Sequence, residues 1–150
     1  PALVNKRKMT IQNLSTYVNR QSRNNLFFIS NEVEDIKYVD IGRLLSGEIE
    51  NSLEKKRLGM IAEDALRKIL SRGSVANEHI GEYLAIKNIG ILFEPALKLD
   101  VLSILKNWSR DHILIVKHEG EIREGVFYLV SNSTNQTINL KEITYKYIVQ

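Results

Sequence analysis

Residues 83–116 constrain the fold of this chain more than any other stretch. Tyr83-Leu84-Ala85-Ile86-Lys87-Asn88-Ile89-Gly90-Ile91-Leu92-Phe93 is dominated by apolar and β-branched residues, the pattern of a strand whose two sheet faces are both covered. Glu94-Pro95 then turns the chain. Asp100 stands where an N-cap belongs, ahead of Leu102, Leu105 and Trp108 at helical spacing. His112-Ile113-Leu114-Ile115-Val116 follows as a second covered strand. Strand, corner, amphipathic helix and strand make half of an α/β core.

The remaining elements extend that core. Ile11, Leu14 and Val18 predict a short first helix that gives way to the polar Asn19 to Asn25 stretch. Leu26-Phe27-Phe28-Ile29 reads as the first core strand, Asn31 to Asp35 as an acidic connection, and Ile36 to Ile41 as a second strand. From Ile49 to Ser71 apolar residues recur near the helical period, with charges between them, which predicts one long helix stopped at Arg72-Gly73-Ser74. Gly120 and Gly125 bracket a turn into Val126 to Val130, as a hairpin or an addition to the sheet edge. Ser131 to Thr137 is a polar turn, and Ile143 to Val149 alternates as a final strand. The expectation is a single domain over 1–150, with a basic N-terminal helix or arm over 1–24 and an α/β core over 25–150. That core has three layers, a mainly parallel sheet and an antiparallel C-terminal edge.

Charge is placed unevenly. Lys6, Arg7, Lys8, Arg20 and Arg23 fall among the first thirty residues without one acid, while the whole chain sums to +3. These five cations are the candidate nucleic-acid contacts, since a basic segment neutralises phosphates. The chain has no cysteine, which excludes disulfides, thiolate zinc clusters and a thiol nucleophile. Without an apolar run near the roughly 20 residues a bilayer requires, or the apolar core of a secretion signal, a cytoplasmic protein with no membrane contact is expected.

Catalytic patterns are missing. A phosphate loop needs glycines to wrap the phosphates, a lysine and a hydroxyl; Ile29 to Tyr38 contains no glycine and carries Glu32, Glu34 and Asp35. Lys87, Asn88 and Gly90 stand where the strand would present metal-binding acids. His79, His112 and His118 share no ligand spacing. His118-Glu119-Gly120-Glu121 reads as a solvated turn, and Asp35-Ile36-Lys37 matches a short nuclease element that is common by chance. Arg110, at a helix end after Trp108-Ser109, suits a phosphate, a neighbouring subunit or the negative end of its own helix. The pattern is that of an NTPase scaffold without its catalytic parts.

Val39 to Ser46, then a long helix, then Ile89 to Arg110 resembles the small P-loop protein BrxF of BREX phage-defence systems, over roughly residues 26–130. Leu92-Phe93, Ser109-Arg110 and Ile113 to Gly120 carry the resemblance. It implies a P-loop-NTPase-like core; the missing phosphate loop implies a degenerate, nucleotide-free relative. From it follows an expected non-catalytic adaptor of a bacterial antiphage defence complex, with no cofactor, no metal and a larger protein of the same system as partner. Trp108, Arg110, Tyr145 and Tyr147 are the candidate interface residues, the last two because an edge strand can extend a partner's sheet. The alternative is a nucleic-acid-binding accessory module using the basic segment. A residual NTPase or nuclease would have to draw on Asp35, Glu94 or Asp100.

Overall fold

The computed structural model describes residues 9–118, 120–129 and 136–148. Its centre is a parallel sheet of β1 (Asn25–Ile29), β2 (Tyr38–Asp40), β4 (Gly81–Lys87), β5 (Ile113–Lys117) and β9 (Tyr145–Ile148), in the spatial order β2-β4-β5-β1-β9. A short strand, β3 (Val75–Asn77), runs antiparallel to the start of β4, in line with β2. Because side chains alternate across a strand, each central strand divides its residues between two apolar layers. Leu26, Phe28, Leu84, Ile86, Leu114 and Val116 face one of them; Phe27, Ile29, Tyr83, Ala85, Ile113 and Ile115 face the other.

The first layer is built by α2 (Ile41–Ile49), α3 (Leu58–Gly73) and α4 (Val101–Asp111), which contribute buried Leu45, Leu66 and Leu105. The second is covered by α1 (Ile11–Ser15), whose Ile11 and Leu14 are buried there with Val33. A separate antiparallel sheet of β6 (Glu121–Arg123), β7 (Val126–Tyr128) and β8 (Thr137–Asn139) joins the helical layer through Phe127. Phe127 stacks on Phe28 at 5.3 Å and on Phe93 at 6.1 Å between ring centroids. The β6–β7 turn places Glu124 and Gly125 at φ 51° and 77°, the left-handed pair that matches strand twist in a two-residue hairpin.

Several expectations change. The apolar run from Tyr83 is strand only to Lys87; Asn88 turns the chain at φ 57°, and Ile89–Phe93 is a 3-10 helix. Its Ile89 and Leu92 bury into the helical layer, so one apolar run serves two elements, which periodicity cannot separate. Strand β2 occupies only Tyr38–Asp40, because Asp40 caps a helix beginning at Ile41. The helix predicted from Ile49 to Ser71 is α-helical only from Leu58, and a separate α2, not predicted from the sequence, precedes it and runs into a 3-10 turn at Glu50–Ser52. Both must bury a face on the same side of the sheet, so the chain reverses between them, leaving Leu53 59% exposed.

The antiparallel strands are not a C-terminal edge of the main sheet. Final strand β9 runs parallel to β1, and the antiparallel hairpin stands apart as its own sheet. A parallel return needs a crossover of a dozen or more residues, and the excursion between β5 and β9 supplies it. Val130 and the polar turn from Ser131 lie outside the described residues until Gln136.

Candidate functional site

Open parallel sheets bind ligands beyond the carboxyl ends of their strands, where neighbouring connections leave toward opposite faces. Here that point lies between β1 and β5. The chain after β1 passes over the α1 side, burying Val33 and packing Ile36; the chain after β5 passes over the helical side, through Ile122 and Phe127.

The carboxyl end is occupied by the protein's own contacts. Across the β1–β2 connection, Glu32 Oε1 meets Lys87 Nζ at 3.2 Å. Along the α1 face of the sheet, the rest of this connection is tied down by the Val33 N–H donating to the Tyr38 hydroxyl at 3.0 Å, the Lys37 N–H to the Tyr83 hydroxyl at 3.3 Å, and the Glu34 N–H to the Met9 carbonyl at 3.0 Å. Burial pushes the Tyr38 hydroxyl up to about 12, so it remains protonated at neutral pH. No helix starts in this connection, so the ring of free N–H groups that a helix N-terminus offers a phosphate is not formed there.

Beside it, Asp40 Oδ1 accepts the Arg43 N–H and the Asn88 Nδ2–H, each at 3.0 Å. The Arg43 N–H first and the Asn88 amide second hold this carboxyl below the usual carboxylate range. Gly42 is required for the arrangement, since a Cβ there would press on Asn88 Nδ2 and lie 2.6 Å from Asn88 Cγ. Replacing Asp40 with alanine is expected to cost about 1 kcal/mol, the ordinary worth of an N-cap, read as a lower urea midpoint.

At the end of β5, His118 is 3% exposed. Its backbone N–H donates to the Ile29 carbonyl at 3.1 Å, and its Nδ1 accepts the Gly120 N–H at 3.1 Å. The proton of the neutral ring therefore sits on Nε2, which is buried without a hydrogen-bond partner among the described residues, between the rings of Phe28, Phe127 and Tyr147. Burial holds this histidine below its ordinary value. The unfolded chain consequently takes up a proton at higher pH than the folded one. Stability is expected to fall as pH drops below about 6.5 and to level off beneath the folded value; a His118→Gln variant should lose that slope in urea titrations between pH 7.5 and 5.

The residues singled out from sequence are scattered. Lys6, Arg7 and Lys8 lie outside the described residues, whereas Arg20 and Arg23 are exposed in the α1–β1 connection. Buried Asn24 donates through Nδ2 to the Lys106 carbonyl at 2.9 Å and to Ser109 Oγ at 3.0 Å, tying that connection to the last turns of α4. Trp108 stacks on His112 there, at 5.4 Å, and Arg110 is exposed in the same helix end. Arg20, Arg23 and Arg110 thus lie at the same, amino end of the sheet. On β9, Tyr145 and Tyr147 are half-buried, their rings against Phe28 and His118.

Asp35-Ile36-Lys37 forms no strand; Asp35 is a left-handed loop residue at φ 68°. Glu94 precedes a 3-10 turn, and Asp100 caps α4 by accepting the Ser103 N–H at 3.0 Å. His79 sits beside Glu78 in the β3–β4 turn, and His112 and His118 stand at opposite ends of β5. Glu119 lies outside the described residues, and Glu121 pairs with Arg123 at 2.9 Å. Among the described residues no three histidine or carboxylate side chains gather as a metal site. Ser74 Oγ donates to Glu82 Oε1 at 2.6 Å, 3.6 Å from His112 Nε2; the hydroxyl faces a carboxylate instead of an imidazole, so this trio lacks the nucleophile-to-base contact of a hydrolase.

Sequence reasoning passed over Asn24, the Asp40–Asn88 pair and Gly42. Asp40 ahead of an apolar residue was a readable N-cap signal; the partners of Asn24 and Asn88, 82 and 48 residues away, were not. No helix among the described residues is long and apolar enough to cross a membrane. Comparison with family models, with curated proteins and with solved structures finds no match to this chain.

Proposed function

We propose that this chain is a non-catalytic adaptor of a bacterial antiphage defence complex, on a degenerate P-loop-NTPase-like scaffold that does not take ATP. The observation that carries the reading is the filled carboxyl end of the sheet. The segment after β1 has no helix, and Lys87, at the carboxyl end of β4, is matched by Glu32 at 3.2 Å. An incoming triphosphate would have to break that pair and approach Glu32, Glu34 and Asp35 in a site of like charge. The defence context and a larger protein of the same system as partner rest on the resemblance to BrxF.

Strand β9 is the docking element in this reading. Among the described residues its single strand neighbour is β1, and an open edge can add a partner's strand. A second reading, binding of nucleic acid at the amino end, is favoured by the placement of exposed Arg20, Arg23 and Arg110 at that end and extends to Lys6, Arg7 and Lys8. Affinity purification of the tagged protein from cells expressing its gene neighbourhood, with nuclease and high-salt controls, separates them. A stoichiometric protein partner surviving both controls supports the adaptor; nuclease-sensitive material alone supports the second reading. Titration calorimetry with MgATP is expected to give no heat of binding, and saturable binding would overturn the nucleotide-free scaffold.

A further inference from the structure

Strand β2 is the other edge of the sheet, and among the described residues it pairs with β4 alone. A groove of about 560 Å³ runs along it, between β2 and the helices α2 and α3. The inner wall is tightly set: a Cβ on Gly73 would stand 2.6 Å from Val39 Cγ2 and 2.9 Å from Leu84 Cδ1, so the end of α3 lies directly on the strand. The groove therefore combines a backbone edge with a helical wall.

Its charged groups divide into committed and uncommitted. Lys87 is paired with Glu32, and Asp40 is engaged by Asn88 and the first turn of α2. Arg43 on α2 and Arg72 on α3 line the groove, are exposed, and make no side-chain hydrogen bond or ion pair among the described residues. Glu48 is the remaining acid of the lining. A backbone edge selects an extended chain, and two open guanidinium forks select carboxylates.

We propose that this groove binds an extended acidic peptide segment of a partner protein, which pairs with β2 and places carboxylates on Arg43 and Arg72. Three residues of strand span about 10 Å, so recognition involves a short segment, with Glu48 disfavouring an acid beside it. The site lies on the edge opposite β9 and stands or falls separately from the adaptor reading.

The test is fluorescence polarisation of the full chain with a fluorescein-labelled ten-residue peptide alternating Glu and Thr, and with its counterpart bearing Lys in place of Glu. Saturable binding of the acidic peptide alone is expected, weakened about tenfold or more when Arg43→Glu and Arg72→Glu are combined and tightened by Glu48→Gln. Both arginines are exposed, and circular dichroism confirms the fold of the double variant. Absence of saturable binding, binding indifferent to the arginine reversals, or displacement of the peptide by a single-stranded oligothymidine would overturn the proposal; the last would reassign the groove to nucleic acid.

Discussion

Phe127→Ala is expected to cost about 3–5 kcal/mol, the usual range for removing a buried phenylalanine. Phe127 is completely buried at the centre of the small antiparallel sheet. Its ring stacks on Phe28 and Phe93 and meets His118 edge-on at 5.4 Å. No other side chain of β6, β7 or β8 combines complete burial with ring contacts to the main sheet. Truncation therefore leaves a void where the two sheets meet, in addition to the lost transfer free energy. Against a total stability of roughly 5–15 kcal/mol for a domain of this kind, the variant should unfold at a much lower urea concentration. Phe127→Leu, which keeps much of the volume, should lose less than half as much. A Phe127→Ala loss below about 1 kcal/mol would mean that the small sheet is not anchored here.

Gly120→Ala is the second large effect, expected near 3 kcal/mol because the obstruction is backbone and has no rotamer to yield. A Cβ at this position would meet the Tyr128 carbonyl oxygen and stand 3.0 Å from its carbon and 3.2 Å from Leu129 Cα. Relief requires the start of β6 to part from the end of β7, where Glu121 pairs with Tyr128, and the shift of Gly120 draws its N–H away from His118 Nδ1. A readout specific to this cause is the His118 titration followed by nuclear magnetic resonance. Its midpoint should rise toward the ordinary histidine value as burial is lost. Gly90→Ala provides the control, since a Cβ there meets nothing within 4 Å; its stability should remain within about 0.5 kcal/mol of the parent. Equal behaviour of the two variants would refute the assigned clash.

Local chemistry carried the legible part of the fold. Asp100 could be identified as the α4 cap and Arg72-Gly73-Ser74 as the α3 stop because caps act through neighbours within a few residues. The strand at Leu26 to Ile29 and the strand ending at Val116 are runs buried on both faces, legible from composition alone. The failures share a cause. Ile89 and Leu92 are as apolar as the strand before them, and only the left-handed Asn88, held by Asp40, redirects them into the helical layer. The break between α2 and α3 has no glycine or proline to announce it, since it is imposed by two helices sharing one face of the sheet.

For the candidate site, the chemistry on offer was legible in the chain: no phosphate-wrapping glycines after β1, acids in their place, no cysteine, and five cations without one acid in the first thirty residues. Side-chain inventory and short-range spacing are properties of the chain. Tertiary structure alone decided where that inventory meets. It brought Lys87 to Glu32 across 55 residues, put Arg20 and Arg23 at the same end of the sheet as Arg110, set Arg43 and Arg72 along the open edge of β2, and made β9 parallel to β1. Such pairings depend on strand order and on which face each connection crosses, and these are settled by the joint burial of apolar surfaces from distant parts of the chain, which no local window contains.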